Sequence, residues 1–192
     1  ENEVKELLKS YDINTTDFLV LHNGESIDTL PFDFPVALKV CSGNILHKTD
    51  VGGVKLSISS MDELQQEIKR FQKKFPNEDL LIDHMVEPGV EVIIGLIQDP
   101  TFGLSIMAGV GGIYTEVYQD VSFRVIPIEK YDAVEMIEEV KGKKLLEGFR
   151  NIKADKQQVI DLLLKVSDLG SELIDVIDQM DLNPVFIYED DY

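Results

Sequence analysis

A single cysteine in 192 residues leaves no intrachain disulfide and no cysteine-cluster metal site. So little thiol suits a reducing cytosol, and Cys41, lying after an apolar run, reads as a small buried residue. No apolar stretch approaches the length that crosses a bilayer, which argues against a membrane protein. The histidines, His22, His47 and His84, show no zinc-type spacing. Basic side chains are scarce as well: 18 Lys and Arg stand against 36 Asp and Glu, a net charge of −18. That surplus repels a nucleic-acid backbone but permits a nucleotide, which requires only a few local lysines and oriented backbone amides. Internal repeats and low-complexity linkers are absent. Residues 1–10 alternate charges with Val4, Leu7 and Leu8 in a helical pattern, unlike an export signal, so a cytoplasmic location is expected.

What is present is a core-forming composition, 44% hydrophobic and 28% charged. Helical spacing marks residues 3–11 and again the stretch from Met61 to Phe75, introduced by a capping box of Ser60 and Glu63 and stopped by Pro76. Apolar runs mark strands over 36–40, 80–86, 90–98, 104–110 and 185–188, with a further strand through 113–118. Alternation of Val54, Leu56 and Ile58 with Lys55 and Ser57 predicts a half-buried strand. Glu87-Pro88-Gly89 predicts a turn between strands. Helical patterns follow from Lys130 and from Asp155, the latter carrying Val159, Leu162, Val166, Leu169, Leu173 and Ile177 on its buried side. Strands with inserted helices read as α+β, mainly antiparallel, in two subdomains covering 1–83 and 84–192.

Lys39 interrupts its apolar strand. Such a lysine either snorkels to the surface or neutralises an anion. The loop from Ser42 to Gly53 follows at once, bringing glycines, hydroxyls, Lys48 and His47 together. Amides at Gly52 and Gly53 can approach phosphate oxygens, and a neutral imidazole can accept a phosphoryl group, although loop histidines are commonly surface residues. Gly109 to Gly112 fits a tight turn or a bulge. Asp181 and Asn183, two apart in extended chain, place two oxygen donors on one side, as Mg²⁺ prefers; the same pair also suits an ordinary turn.

Taken together, Pro35-Val-Ala-Leu-Lys-Val40, Asn44-Ile-Leu-His-Lys-Thr-Asp-Val-Gly-Gly-Val54, Glu87-Pro-Gly-Val-Glu91, Gly109-Val-Gly-Gly-Ile113 and Asp181-Leu-Asn-Pro184 resemble the ATP-grasp domain, or beta subunit, of ADP-forming acetyl-CoA and acyl-CoA synthetases, relatives of succinyl-CoA synthetase. The resemblance covers nearly the whole chain. It implies two ATP-grasp subdomains with a nucleotide cleft between them, ATP or ADP with Mg²⁺ as ligands, and a CoA-binding alpha subunit or fused domain as partner. It also implies a reaction, in which acyl-CoA, phosphate and ADP give the acid, CoA and ATP through a phosphohistidine. By the same resemblance His47 is the phosphoryl carrier and Lys39 a phosphate contact. His84, Met85 and Val86 form the adenine hinge, and Glu91 faces the ribose. Asp181 and Asn183 are the Mg²⁺ ligands, and Glu116 or Asp181 orients His47. Two positions depart from the pattern: Ser42-Gly43-Asn44 replaces a Ser-Pro-Asp, and Gln179 stands where glutamate is common. A second reading is a regulatory ATP-grasp-like domain of a protein-lysine acetyltransferase, which would have no need of a phosphoryl acceptor at His47.

Overall fold

The computed structural model describes residues 1–42, 45, 48–111, 115, 119–148, 154–189 and 192. The chain divides into two compact units, one of Glu1–Ser10 with Asn14–Glu87, the other of Tyr11–Ile13 with Pro88–Tyr192.

The first unit contains α1 (Asn2–Ser10), β1 (Phe18–Leu21), β2 (Val36–Cys41), β3 (Val54–Ile58), α2 (Met61–Lys74) and β4 (Asp79–His84). Its strands form an antiparallel sheet in the order β1-β4-β2-β3. Alternation along β2 and β4 sends Val36, Leu38, Leu80 and Ile82 to one face, where Leu64, Ile68 and Phe71 of α2 complete a dry core. The Ser60 hydroxyl accepts from the Glu63 N–H at 3.3 Å, while the Glu63 carboxylate reaches the N–H of Ser59, one residue earlier than a standard capping box. Asp62 and Glu63 at one end and Lys73 and Lys74 at the other complement the helix dipole. The opposite face of the sheet presents Ala37, Lys39, Cys41 and Asp83, and α1 lies over it. Half-buried Cys41, rather than being enclosed in the core, sits with its Sγ 3.4 Å from the Asn2 Oδ1.

In β3 the expected alternation breaks down, since Leu56 is exposed and Ser57 takes a φ of 57°. A register shift against Val36 and Leu38 inserts one residue there, so the outward and inward positions exchange before Ile58 returns to the core.

The second unit contains β5 (Val90–Asp99), β6 (Gly103–Val110), β7 (Val121–Val125), α3 (Lys130–Glu139), a short 3-10 helix (Lys141–Leu145), α4 (Lys156–Glu172) and β8 (Gln179–Ile187). The sheet order is β7-β6-β5-β8, antiparallel throughout. Val92, Ile94, Leu96, Ile106 and Ala108 face the helices, and α4 buries Val159, Leu162, Leu163, Val166 and Leu169. A Cβ at Gly170 would fall 2.8 Å from both Leu96 and Ile126, so the missing side chain allows α4 to approach the sheet closely. That helix stops at Glu172, short of the sequence expectation. Leu173 caps it and Ile177 belongs to the turn that follows, where the Ile177 N–H returns to the Leu173 carbonyl.

Residues 85–89 correct another expectation. They join strands of two different sheets and carry no turn. Gly89 answers a close approach instead, because a Cβ there would lie 2.8 Å from the Ile187 carbonyl oxygen. The strand expected over 113–118 lies outside the described residues except for Thr115, whose backbone is helical.

Candidate functional site

Lys39 sits between two carboxylates. Its Nζ lies 2.7 Å from the Glu1 Oε1 and 2.7 Å from the Asp83 Oδ2. Asp83, nearly buried on β4, also accepts from the Lys5 ammonium at 2.5 Å and from the Thr16 hydroxyl at 2.6 Å. Lys48 closes the cluster, 3.0 Å from the Glu1 Oε2. The Lys39 side chain is 22% exposed, so the lysine neither escapes to solvent nor stands unpaired.

Burial alone would raise the Asp83 carboxyl, but the Lys39 ammonium, with Lys5 and Thr16, outweighs it and holds that group below its ordinary value. Burial likewise opposes ionisation of Glu1, yet Lys39 and Lys48 bring it down to about 2. Lys39 is pushed down by burial and up by Asp83 and Glu1, with a net rise. The carboxyl interactions are therefore complete above the ordinary carboxyl range and lost as pH falls through the depressed values. Comparing wild type with Glu1→Gln isolates one of them: the difference in urea midpoint, followed by circular dichroism, is expected to be constant above pH 5 and to vanish toward pH 2. A difference independent of pH would show that the Glu1 pair contributes nothing to stability.

The loop glycines serve a turn. Gly52 adopts a φ of 59°, and its N–H donates to the Thr49 carbonyl at 2.9 Å. The Gly53 N–H donates to the Lys48 carbonyl at 2.7 Å, and the Gly53 carbonyl accepts from Val40. Both amides are thus taken up within the loop, and the turn brings Lys48 back beside β2. A Cβ at Gly53 would come within 2.7 Å of Val40. His47, like Glu116, lies outside the described residues.

At the end of β4, the His84 N–H donates to the Asp17 carbonyl and the Met85 N–H to the Pro35 carbonyl at 2.9 Å. The His84 ring lies 6.0 Å from that of Phe32, and the Met85 sulfur accepts from the Ser57 N–H. Val86 belongs to the connecting segment. The first unit therefore brings together Lys39, Lys48 and the glycine turn, while His84 lies three residues along β4 from Leu81, the partner of Lys39.

The second unit holds Glu91, Asp181 and Asn183. The Glu91 carbonyl accepts from the Gly111 N–H at 2.9 Å, tying β5 to the glycine motif. Asp181 lies opposite Gly95 on β5, and both Asp181 and Asn183 are exposed. A Cβ at Gly95 would sit 3.0 Å from the Met180 carbonyl, so the glycine allows the close approach of the β8 backbone there. Asn183 lies in a bulge with the cis-linked Pro184. Among the described residues no group of three or more His, Cys, Asp or Glu could hold a metal ion. Asp181 offers a carboxylate and Asn183 an amide oxygen, donor types that fit Mg²⁺, which keeps most of its coordination for water and phosphate.

Sequence reasoning missed Glu1, Lys5, Thr16 and Asp83. The signal was available at Asp83, a carboxylate in the apolar run Leu80-Leu-Ile-Asp, one strand away from a lysine in the apolar run Val36-Ala-Leu-Lys.

The whole chain, residues 1–192, matches the ATP-grasp domain family. This chain belongs to the ATP-grasp family. The ADP-forming acetate–CoA ligase I subunit beta of Pyrococcus furiosus is 40% identical over 200 residues, covering 99% of this ATP-grasp chain and 86% of that subunit. The ADP-forming acetate–CoA ligase II of Archaeoglobus fulgidus is 42% identical over 98% of this chain, which spans 28% of that protein's length. A solved structure of the dinucleotide-forming acetyl-coenzyme A synthetase 1 of Ca. Korarchaeum cryptofilum is 38% identical with a TM-score of 0.82, covering 98% of this chain and 85% of that one. It is a complex with coenzyme A and Mg-AMPPCP, with its phosphohistidine segment pointing towards the nucleotide binding site. The α+β class and the ATP-grasp fold of two antiparallel sheets with flanking helices accord with the sequence expectation. No helix among the described residues is long and apolar enough to cross a membrane.

Proposed function

We propose that this ATP-grasp chain is the nucleotide-binding subunit or domain of an NDP-forming acyl-CoA synthetase. With a CoA-binding alpha subunit or fused domain, in the cytoplasm, it converts acyl-CoA, phosphate and ADP to the acid, CoA and ATP. The observation that carries the reading is the 40% identity to a beta subunit over 99% of this chain and 86% of that one. The convergence of Lys39 and Lys48 supports it from the side of chemistry, since phosphoryl transfer is chiefly positioning and cancellation of charge.

In this reading an imidazole nitrogen of His47 takes the phosphoryl group from the phosphohistidine of the partner, one N–P bond forming as the other breaks. A terminal oxygen of ADP then attacks that phosphorus, the His47 N–P bond breaks, and the neutral imidazole is restored. Lys39 neutralises the nucleotide phosphates. The His84-Met85-Val86 segment meets adenine through backbone groups other than the His84 and Met85 N–H, which are paired within the first unit, and Glu91 meets the ribose, while Gly52 and Gly53 shape the loop that carries His47. Asp181 and Glu116 orient the imidazole. Asp181 and Asn183 would hold Mg²⁺, which supplies further cancellation of phosphate charge when bound.

The test supplies the CoA-binding partner, an acyl-CoA and labelled inorganic phosphate, and looks for acid-labile label on this chain. Wild type is expected to carry label and His47→Asn none. Label undiminished in His47→Asn removes His47 from the mechanism.

A further inference from the structure

We propose that the Glu1 carboxylate is an intramolecular stand-in for a nucleotide phosphate, bridging Lys39 and Lys48 until a di- or triphosphate displaces it. Asp83 is the positioning residue that holds Lys39 through the exchange. The inference rests on the reading of Lys39 as a phosphate contact and adds to it a built-in competitor.

The two carboxylates around Lys39 are not equivalent. Asp83 is a strand residue, 10% exposed, whose oxygens are already shared among Lys39, Lys5 and Thr16. It cannot leave without taking from Lys5 its carboxylate and from Lys39 one of two, so it is a fixed part of the sheet. Glu1 is 31% exposed and precedes the first residue of α1, its carbonyl accepting the Lys5 N–H at 3.1 Å. Its longer side chain turns back from the helix start to reach the lysines, and a rotation about its own bonds releases it to solvent.

Glu1 also has the geometry of the ligand it would mimic. Its two oxygens each take one ammonium, Lys39 from β2 at 2.7 Å and Lys48 from the following loop at 3.0 Å, as two oxygens of one phosphate would. With Glu1 in place, three ammoniums face two carboxylates. Its departure leaves Lys39 and Lys48 converging on one vacated point, with Asp83 still anchoring Lys39. A placeholder of this kind keeps the lysines ordered in the nucleotide-free chain and weakens phosphate binding by the free energy of the interaction it must surrender.

The experiment titrates the full chain calorimetrically with Mg-AMPPCP, with tripolyphosphate and with adenosine. Glu1→Gln is expected to bind both phosphate probes about two- to fivefold more tightly, the range of one partly exposed charge pair. Asp83→Asn, checked for folding by circular dichroism, is expected to bind them about tenfold more weakly. Adenosine, which lacks the phosphates, is expected to respond to neither substitution. If Lys39→Met weakens phosphate binding while Glu1→Gln leaves it unchanged or weaker, the stand-in is refuted and the nucleotide site survives. A parallel change in adenosine affinity would mark Glu1 and Asp83 as general structural supports and overturn the proposal. Lys39→Met without effect, or no binding of any probe, overturns the phosphate-contact reading together with it.

Discussion

Replacing Asp83 by alanine is expected to destabilise the first unit by about 3 kcal/mol, read as a fall in urea midpoint by circular dichroism. The carboxylate is buried and satisfies Lys39 through one oxygen and Lys5 and Thr16 through the other. Its removal leaves the Lys5 ammonium, 12% exposed, with no carboxylate among these contacts, and leaves Lys39 with Glu1 alone. Severing a fully buried pair commonly costs about 3–5 kcal/mol, and the lower end applies because Glu1 remains and both lysine stems lead toward solvent. A second substitution separates charge from packing: Lys5→Met in the Asp83→Ala background is expected to recover part of the loss, since it removes the stranded ammonium. If the double variant is less stable than Asp83→Ala, the damage comes from lost packing instead.

Gly142→Ala is expected to have an effect of similar size in the second unit, for a different reason. Gly142 lies in the short 3-10 helix, where its N–H and that of Lys141 donate to the two Asp120 oxygens at 2.9 and 3.0 Å. This clamp presses the helix onto the end of β6, and a Cβ at Gly142 would stand 2.2 Å from the Val110 carbonyl oxygen. No side-chain rotation relieves a contact with backbone, so β6 or the clamp has to shift, at a cost of about 3 kcal/mol. Gly24→Ala is the control. Gly24 has a φ of 85° but open space around it, and about 1 kcal/mol of conformational strain is expected there. Equal losses in the two variants would contradict the steric argument.

Legibility in the sequence followed the range of the forces involved. Elements fixed by local pattern were readable: α2 through its cap, apolar spacing and Pro76, and β5 and β6 through their apolar runs. Elements fixed by partners were not. Leu56 faces outward because a bulge opposite β2 shifts the register, which no local alternation records. The last turn expected of α4 is absent although Leu173 and Ile177 continue its spacing, because periodicity states which face is apolar and not where the helix stops. In the candidate site Lys39 was conspicuous as a cation in an apolar strand. Its companions were not, since Glu1 before an amphipathic helix and Lys5 within it are ordinary charges until the sheet places that helix across Asp83. The glycines next to His47 suggested amides open to phosphate, whereas the fold spends the Gly52 and Gly53 N–H groups on the loop itself.

Pro184 has a meaning for the chain's behaviour in a crowded solution. Among the described residues β8 is the outermost strand on its side of the sheet, the position at which a passing polypeptide would otherwise add itself by backbone pairing. A residue lacking an amide hydrogen, set in a bulge beside exposed Asp181 and Asn183, interrupts the flat row of donors and acceptors that such aggregation requires.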